Sequence, residues 1–523
     1  MLGVVAKRTE WVFAPPHVLQ AGLLLLALLF LPAFAMAKKA KWVEYTSDNF
    51  VVYSDRKPAE ARALLVDFER FRNVVLLLTA LPPSATASTR TQIFLFNRKR
   101  DYREFQSDPK VAGYFRDTWQ GPRMVVGAEA KLADASLVLF HEYVHHVMRA
   151  HSPLRYPLWY EEGFADLLAA SQLDTSQVLI GLVHPWRRED IDRLGLMPVL
   201  DLFSPPDTDD PRYWSRYYAS AWLFMHFLQL GHLTSGPDHR AGMTSLLLSA
   251  NQDADPKGSF QKHFGITPEQ MDAQLKAYAG RRTLSGYRTE IKPYKGTLTQ
   301  RRLSTNEVAY LLADLAYRSG QQETALEWLK RVDAKQSSVA RAFSLRAVIE
   351  QHQGRGDLAS HVMGFALRDG GDDAYVLTNA AHLYWDKARA AGGAKESWQR
   401  TLEYGEKALA IDGGALEAGY FLALAYKAQG KVEEAVVLLS DLYRQYPTDV
   451  RLNMELGRLL ASTDKSSRAI PYLQRVIAWD HGQTRRQQAK RILESLGHVS
   501  APVLADDDHE HPLPIQIQSK STN

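Results

Sequence analysis

The chain has 523 residues, of which 46% are hydrophobic and 23% are charged, and this length predicts about two or three domains. The formal net charge is only +4 and no basic stripe with interleaved aromatic residues occurs, which argues against nucleic acid as a partner. The chain has no cysteine, so disulfides, thiolate metal sites and cysteine nucleophiles are excluded, and any metal must be held by histidines and carboxylates.

Residues 1–37 have the pattern of an export signal. Lys7 and Arg8 form a weakly basic start, an apolar run follows that is densest over residues 23–31, and the Ala-Met-Ala sequence at residues 35–37 offers a cleavage site. The alternative is an uncleaved anchor, because the apolar run is nearly long enough to span a bilayer. The sequence therefore predicts a periplasmic or secreted protein, or one anchored in the membrane with its domains outside the cytoplasm.

A mixed α+β domain is predicted for residues 38–295. Alternating β-branched and aromatic residues indicate strands, and apolar residues at helical spacing indicate helices packed on a small mixed sheet. Pro293 and Gly296 mark the linker that ends this domain. Strands are expected within residues 42–53, 92–96 and 123–127, and helices at residues 59–79, 216–230 and 268–278.

The second half of the chain carries an internal repeat. Gly320 and Gly354 are 34 residues apart, as are Gly430 and Asp464. This spacing resembles tetratricopeptide repeats (TPRs), helix pairs in which such positions mark the turn between the two helices. We therefore predict an all-α TPR solenoid at residues 300–498, followed by a disordered polar tail at residues 499–523. An alanine lies five residues after each mark: Ala325, Ala359, Ala435 and Ala469.

The sequence HEYVH at residues 141–145 is a candidate metal-binding motif. Residues i and i+4 of a helix lie on the same face, so the imidazoles of His141 and His145 can reach a single ion. Glu142 lies beside the first ligand and is expected to act as the general base toward the attacking water. Because the chain contains 17 histidines, this pentapeptide alone is only suggestive of a site.

Two carboxylates follow shortly after the histidines, in the sequence WYEEGFAD at residues 159–166. A hydrolytic zinc site needs three protein ligands and an open position, and Glu162 can complete a His2Glu site. Asp166 is expected to accept a hydrogen bond from the far nitrogen of His141 and to fix its tautomer. The alternative is a solvated acidic face, and whether Glu161 competes for the ion or faces solvent stays open.

Together, HEYVH and WYEEGFAD resemble the gluzincin peptidases, the superfamily that includes thermolysin, and most of all the peptidase-MA-like group. The resemblance covers roughly residues 42–278. It implies one Zn²⁺ per chain held by His141, His145 and Glu162, with Glu142 as the catalytic base.

Gluzincins also stabilise the negative charge on the substrate oxygen with a side-chain donor. Tyr218 is the candidate for this role, ahead of Tyr217 and His226, although a tyrosine packed at a helix start explains Tyr218 equally well. The strand at residues 123–126 resembles the edge strand along which gluzincins hold extended substrate, and an ordinary core strand is the alternative. His184 is interpreted, with His146 and His151, as a surface residue or a support for the ligands.

The export signal, the metal-binding motif and the repeat together predict an exported zinc metallopeptidase. Its TPR array would recruit a protein partner or deliver a protein or peptide substrate. A membrane would be involved only if the N-terminal segment is uncleaved. One alternative is a catalytically silent peptidase-like scaffold with a TPR array for protein–protein interaction in the cell envelope. A weaker alternative is metal-dependent hydrolysis of a non-peptide bond. The intact Glu142 speaks against a scaffold, because a purely structural metal site does not use a base.

Overall fold

A computed structural model of the protein describes residues 42–79, 90–106, 113–127, 132–151, 156–206, 208, 210–234, 236–249, 256–335, 339–390, 395–447, 449–479 and 483–498. The predicted export signal and the predicted disordered tail lie outside these residues. None of the helices within the described part combines the length and hydropathy that a bilayer-spanning segment needs. The described residues form a mixed α+β region followed by a largely helical region.

The strands of the first region form a six-stranded mixed sheet and a small antiparallel sheet. They are β1 (Val43–Thr46), β2 (Phe50–Ser54), β3 (Thr91–Leu95), β4 (Gly113–Thr118), β5 (Gly121–Val126), β6 (Gln172–Leu173), β7 (Gln177–Ile180), β8 (Tyr287–Glu290) and β9 (Thr299–Arg302). The larger sheet has the order β4-β5-β3-β2-β1-β9, and the smaller one has the order β6-β7-β8. In the larger sheet β2, β3 and β5 run parallel, whereas β4, β1 and β9 pair antiparallel with their neighbours.

Two features of the larger sheet differ from the sequence predictions. The prediction that residues 123–126 form an edge strand is wrong and the alternative of a core strand is confirmed, because β5 lies between β4 and β3 and all six of its residues are buried. The edge on this side is β4, which joins β5 through a tight turn at Gly121, where φ is +98°. At the other edge, β9 pairs with β1, so the sheet includes residues beyond 295, the predicted end of the first domain.

Nine helices of the described residues accompany these strands. They are α1 (Pro58–Thr79), α2 (Lys99–Arg103), α3 (Leu132–His151), α4 (Leu158–Ala169), α5 (Pro185–Leu194), α6 (Pro211–Leu230), α7 (Arg240–Ser249), α8 (Pro256–Phe264) and α9 (Pro268–Ala279). Aromatic contacts fasten α1 and α3 to each other and to the sheet: the rings of Phe71 and Phe140 stack at 4.0 Å, and Tyr143 lies 5.3 Å from Phe50 of β2. The helix with the HEYVH sequence is therefore anchored in the core.

The helical region consists of five helix pairs and a final single helix. The helices are α10 (Thr305–Arg318), α11 (Gln322–Leu329), α12 (Ala340–His352), α13 (Gly356–Gly370), α14 (Ala374–Ala390), α15 (Lys395–Ile411), α16 (Leu416–Ala428), α17 (Val432–Gln445), α18 (Val450–Ala461), α19 (Ile470–Trp479) and α20 (Gln483–Ser495). The predicted turn marks Gly320, Gly354 and Gly430 each separate the helices of a pair and adopt φ between +76° and +80°. Glycine is favoured there because a side chain strains this left-handed backbone.

The periodic alanines are the second feature of the repeat that the structure explains. All four alanines that follow the turn marks are fully buried. A small side chain at this position lets the two helices of a pair approach closely. The prediction of TPRs in the C-terminal part is confirmed, and we refer to α10–α20 as the TPR array.

Candidate metal centre

Three side chains from α3 and α4 converge on one point. His141 and His145 lie one turn apart on α3, and their Nε2 atoms are 3.0 Å from each other. The Glu162 Oε2 atom, on α4, lies 3.4 Å from Nε2 of His141 and 3.6 Å from Nε2 of His145. The histidines and the carboxylate that the sequence singled out are therefore neighbours in space.

A glycine next to the carboxylate allows α4 to approach α6 closely. A Cβ atom added at Gly163 would lie 2.5 Å from the carbonyl oxygen of Ala221 and 2.9 Å from the Cβ of Met225. Such distances are far shorter than an ordinary van der Waals contact, so no larger residue fits without moving a helix. The glycine of the WYEEGFAD sequence thus helps to set the depth at which Glu162 is held.

Asp166 supports the first histidine from behind. Its Oδ1 atom lies 2.8 Å from Nδ1 of His141, the contact expected from the sequence. Its other oxygen accepts a hydrogen bond from Nε of Arg187 at 2.6 Å, and Nε2 of His184 lies 3.7 Å from Oδ1. When Nδ1 of His141 donates to Asp166, its Nε2 keeps a free lone pair directed at the convergence point.

Burial and neighbouring charges shift the pKa values of His141 and Asp166 in opposite directions. Burial by itself would lower the pKa of His141, but the carboxylates of Asp166 and Glu162 outweigh it and raise the pKa of His141 to about 10. Burial would raise the pKa of Asp166, but Arg187 and His141 hold this pKa well below its usual range. The pKa of His184 falls to about 4, mainly because its ring is buried and also because Arg187 is close. The carboxylates are therefore anionic, whereas His141 carries a proton at neutral pH when no metal ion is bound, so a metal ion would have to displace that proton.

The spacing of the three converging atoms suits a tetrahedral metal ion. Two ligand atoms that are each about 2.0–2.1 Å from a tetrahedral ion lie about 3.3 Å apart. The three separations here, 3.0, 3.4 and 3.6 Å, lie close to that value on either side. Two imidazoles and one carboxylate are also the donor set of catalytic zinc sites. His145 differs from a typical zinc-binding histidine in one respect. Its Nδ1 atom is buried and has no hydrogen-bond partner within the described part of the chain.

The residues expected to act as base and oxyanion donor are Glu142 and Tyr218. They lie close enough together that, after burial, the charges of Glu162 and Glu142 raise the pKa of Tyr218. Glu142 is partly exposed on α3 between the two histidines. Tyr218 of α6 is partly exposed, and burial, followed by the charge of Glu162, raises its pKa to about 12, so its hydroxyl stays protonated. The Arg187 guanidinium lies over its ring, 5.3 Å from the centroid, and fixes the side chain by a cation–π contact.

The two alternative donors are engaged elsewhere. The hydroxyl of Tyr217 is buried and donates to the carbonyl oxygen of Leu202 at 2.9 Å. His226 is fully buried, with Nε2 at 2.9 Å from the carbonyl oxygen of Gly181 and Nδ1 at 2.8 Å from the hydroxyl of Tyr278. Both side chains serve the core, which leaves Tyr218 as the candidate.

The contact of Arg187 with Asp166 was not predicted from the sequence, and the role of Glu161 was left undecided. Arg187 follows the His184-Pro185 sequence, which signals a helix start, and His184 does cap α5 by accepting from the Arg187 backbone amide. Nothing in that local pattern links Arg187 to Asp166, because the contact is made between two helices. Glu161 is only 9% exposed and is not among the three converging ligands, so it neither faces solvent freely nor replaces Glu162.

A second group with metal-ligand chemistry occurs in the TPR array. It contains His352 of α12 with His382 and Asp386 of α14. The Asp386 Oδ2 atom lies 2.8 Å from Nε2 of His352 and 3.6 Å from Nε2 of His382, and burial lowers the pKa of His382 to about 4, so this ring is neutral at pH 7. The expected base and hydroxyl donor, Glu142 and Tyr218, belong to α3 and α6, so we place the candidate hydrolytic site at His141, His145 and Glu162.

The comparisons with known proteins concern the TPR array. A tetratricopeptide repeat family model matches residues 427–493. No peptidase family matches, and the first region stays without a family. No curated protein matches the sequence of this chain. TPR domains typically mediate protein–protein interactions.

Several solved structures are distantly similar. A thermophilic TPR protein of Thermus thermophilus is 14% identical with a TM-score of 0.33, over 36% of this chain and 99% of that protein. PilF of Pseudomonas aeruginosa is 17% identical with a TM-score of 0.32, over 37% and 85% of the two chains. Human IFIT1 is 15% identical with a TM-score of 0.33, over 70% and 68%. Similarity at this level carries no argument about function.

Proposed function

We propose that this chain is an exported zinc-dependent metallopeptidase. The observation that carries the proposal is the convergence of His141, His145 and Glu162, with separations that suit one tetrahedral ion. Glu142 and Tyr218 beside this point add the base and the donor that hydrolysis requires. The substrate would be a protein or peptide, and the TPR array would recruit a protein partner or deliver the substrate.

Each side chain has a separate part in this mechanism. A bound zinc ion would supply a Lewis acid that polarises a carbonyl group and lowers the pKa of a water molecule to about 7. Glu142 would take the proton from the attacking water and return it to the leaving amine. The hydroxyl of Tyr218 would donate a hydrogen bond to the oxygen on which negative charge develops. Asp166 would hold His141 in the tautomer that leaves its Nε2 free.

The decisive test is the Glu142→Gln variant. Glutamine keeps the size of the side chain but cannot accept the proton, so we expect the purified variant to retain about one zinc ion and to lose hydrolysis almost completely. Zinc content is measured by atomic spectroscopy, and hydrolysis is measured with a peptide library read by mass spectrometry. The matched control is Glu189→Gln on α5, which makes the same substitution at an exposed carboxylate that is neither one of the three converging groups nor the proposed base. Equal hydrolysis in Glu142→Gln and wild type contradicts the proposal.

The alternative is a catalytically silent scaffold, and the TPR match is the observation that favours it. A scaffold would bind a protein partner equally well with glutamate or glutamine at position 142 and would show no hydrolysis in either form. Trapping with Glu142→Gln, with and without Zn²⁺, separates the two candidates. A peptidase retains more substrate protein in the variant than in wild type, whereas a scaffold retains the same proteins in both.

A further inference from the structure

The hairpin formed by β4 and β5, residues 113–126, reaches the TPR array. Trp119 at its tip packs against the buried cluster of the fourth and fifth helix pairs. Its ring lies 4.9 Å from that of Tyr420 on α16, and the Arg451 guanidinium at the start of α18 lies over the Trp119 ring, 3.3 Å from the centroid. The tip thus contacts both an aromatic ring and a cation, two partners that bind tryptophan well.

A polar network continues this contact along the array. The Arg123 side chain of β5 pairs with Asp314 of α10, with 2.5 Å between Nη2 and Oδ2, and both side chains are buried. Asp314 also accepts a hydrogen bond from the Tyr375 hydroxyl at 2.7 Å. Arg318 donates two hydrogen bonds to Glu417, at 2.7 and 2.9 Å. This bidentate geometry is among the stronger charged pairs in proteins.

The same carboxylate binds the hairpin directly. Nε2 of Gln120 donates to Oε2 of Glu417 at 2.7 Å. The helices whose side chains contact the hairpin, α10, α16 and α18, are each the first helix of a pair, and we call the surface they line the first-helix face. In a solenoid of paired helices, a surface of this kind is where extended partners bind. Here that surface is already covered by the chain itself.

The hairpin also touches the helix of the candidate metal centre. Phe115 of β4 packs against the main hydrophobic core, and its ring lies 6.1 Å from that of His146, the neighbour of the ligand His145. Among the described strands, β4 is the edge of the six-stranded sheet on this side. A strand edge exposes backbone groups that can pair with an extended peptide. The array therefore contacts a hairpin that links the edge of the sheet to the helix of the candidate metal centre.

We propose that the first-helix face of the TPR array is an intramolecular docking surface for the β4–β5 hairpin. The array braces the edge strand beside the candidate metal centre. A protein partner reaches this face only by replacing Trp119 and Gln120, so it must offer an aromatic side chain to Tyr420 and Arg451 and a hydrogen-bond donor to Glu417. Docking of the hairpin requires neither metal nor hydrolysis. Only the idea that docking positions β4 for pairing with a substrate rests on the proposed function.

Hydrogen–deuterium exchange of the full chain tests this proposal. The Tyr420→Ala/Arg451→Ala variant removes both sides of the tryptophan site about three hundred residues away from the hairpin in sequence. We expect amide exchange in residues 113–126 to become about tenfold faster or more, while exchange in β2 is unchanged. The matched control is Arg444→Ala on α17, the second helix of its pair, which should alter neither segment. The exchange measurement does not depend on hydrolysis. The docking proposal can therefore fail while the proposed function holds, and the proposed function can fail while the docking proposal holds.

The reciprocal variant keeps the test decisive if the first one folds poorly. Trp119→Ala removes the hairpin side of the contact, and we expect faster exchange at the first turns of α16 and α18, with α12 unchanged. Unaltered exchange on both sides of the contact would overturn the proposal. Equal acceleration of β2 and the hairpin would also overturn it, because the array would then stabilise the whole region and not this hairpin.

Discussion

At the scale of single residues, the candidate metal centre depends on Asp166 and Arg187, which lie behind His141. Asp166 is almost fully buried and contacts both His141 and Arg187. A carboxylate in this position orients the imidazole and increases its basicity, and the loss of such a partner typically weakens metal affinity by about 10- to 100-fold. The positive charge of Arg187 keeps the carboxylate ionised despite its burial.

The Asp166→Asn variant measures this support. We expect zinc affinity to fall by about 10- to 100-fold, because the amide keeps the shape but loses the charge that holds the His141 tautomer. Affinity is measured by competition with a chromophoric chelator. The control is Asp192→Asn, which removes a carboxylate of the same type from an exposed ion pair with Arg188. An affinity within twofold of wild type would show that Asp166 is dispensable for metal binding.

Two adjacent tyrosines allow a matched test of the oxyanion donor. Tyr218→Phe removes the hydroxyl beside the site, and we expect kcat to fall about 100-fold or more with zinc content unchanged. Tyr217→Phe removes a hydroxyl that is bonded to Leu202, and we expect it to lower the free energy of unfolding by about 1 kcal/mol without this loss of kcat. Steady-state kinetics and chemical denaturation separate the two effects. The opposite pattern would assign the donor role to Tyr217.

At the scale of elements, the site is the meeting of α3, α4 and α6. The first contributes the two histidines, the second Glu162 and Asp166, and the third Tyr218. Periodicity predicts which residues share one face of each helix, but it does not determine how far apart two helices lie. That distance is set where Gly163 brings α4 against the backbone of α6.

Gly163→Ala tests this close approach. The added Cβ meets a backbone carbonyl that cannot rotate away, so we expect the free energy of unfolding to fall by about 1–3 kcal/mol and zinc binding to weaken. The control is Gly364→Ala in α13, where a Cβ meets nothing within 4 Å. There the substitution should raise stability by about 0.5–1 kcal/mol, because alanine favours a helix over glycine. Denaturant titration of both variants decides the matter, and a neutral Gly163→Ala would refute the packing role.

At the scale of the whole molecule, buried charges connect the sheet region to the TPR array. Asp314 and Glu417 are both buried, and burial alone would raise the pKa of each carboxyl group. Their arginine partners outweigh burial, so the pKa of each of the two carboxyl groups lies below its usual value. A group whose pKa is lowered on folding stabilises the folded state above its unfolded pKa. That contribution is lost as the pH falls through the folded pKa.

We therefore expect the free energy of unfolding of wild type and of the Asp314→Asn/Glu417→Gln variant to differ by an amount that depends on pH. At pH 7 the double variant should be less stable by about 3–5 kcal/mol, because the arginines stay buried without their partners. The difference should shrink as the pH falls below about 4, where wild type loses the same interactions. Denaturation between pH 3 and 7 provides the measurement, with Glu403→Gln in an exposed pair as the control. A difference that is constant with pH would exclude this ionic contribution.

The repeat and the clustering of His141, His145 and Glu162 could be predicted from the sequence because both follow from local patterns. The turn glycines at a constant spacing and the histidines one helical turn apart express the geometry of a single helix or helix pair, which the chain encodes in consecutive residues. The closeness of Glu162 to the two histidines was predictable for a similar reason, since it lies only 17 positions after His145 on the next helix.

Other features were decided only by the tertiary structure. Residues 123–126 form an apolar run whether the strand is at an edge or inside, and only the pairing of β4 shows that it is inside. Arg187, Gly163 and the docking of Trp119 depend on contacts between elements that are distant along the chain. No local pattern records such contacts, because their free energy arises from packing and charge pairing that exist only after the elements meet.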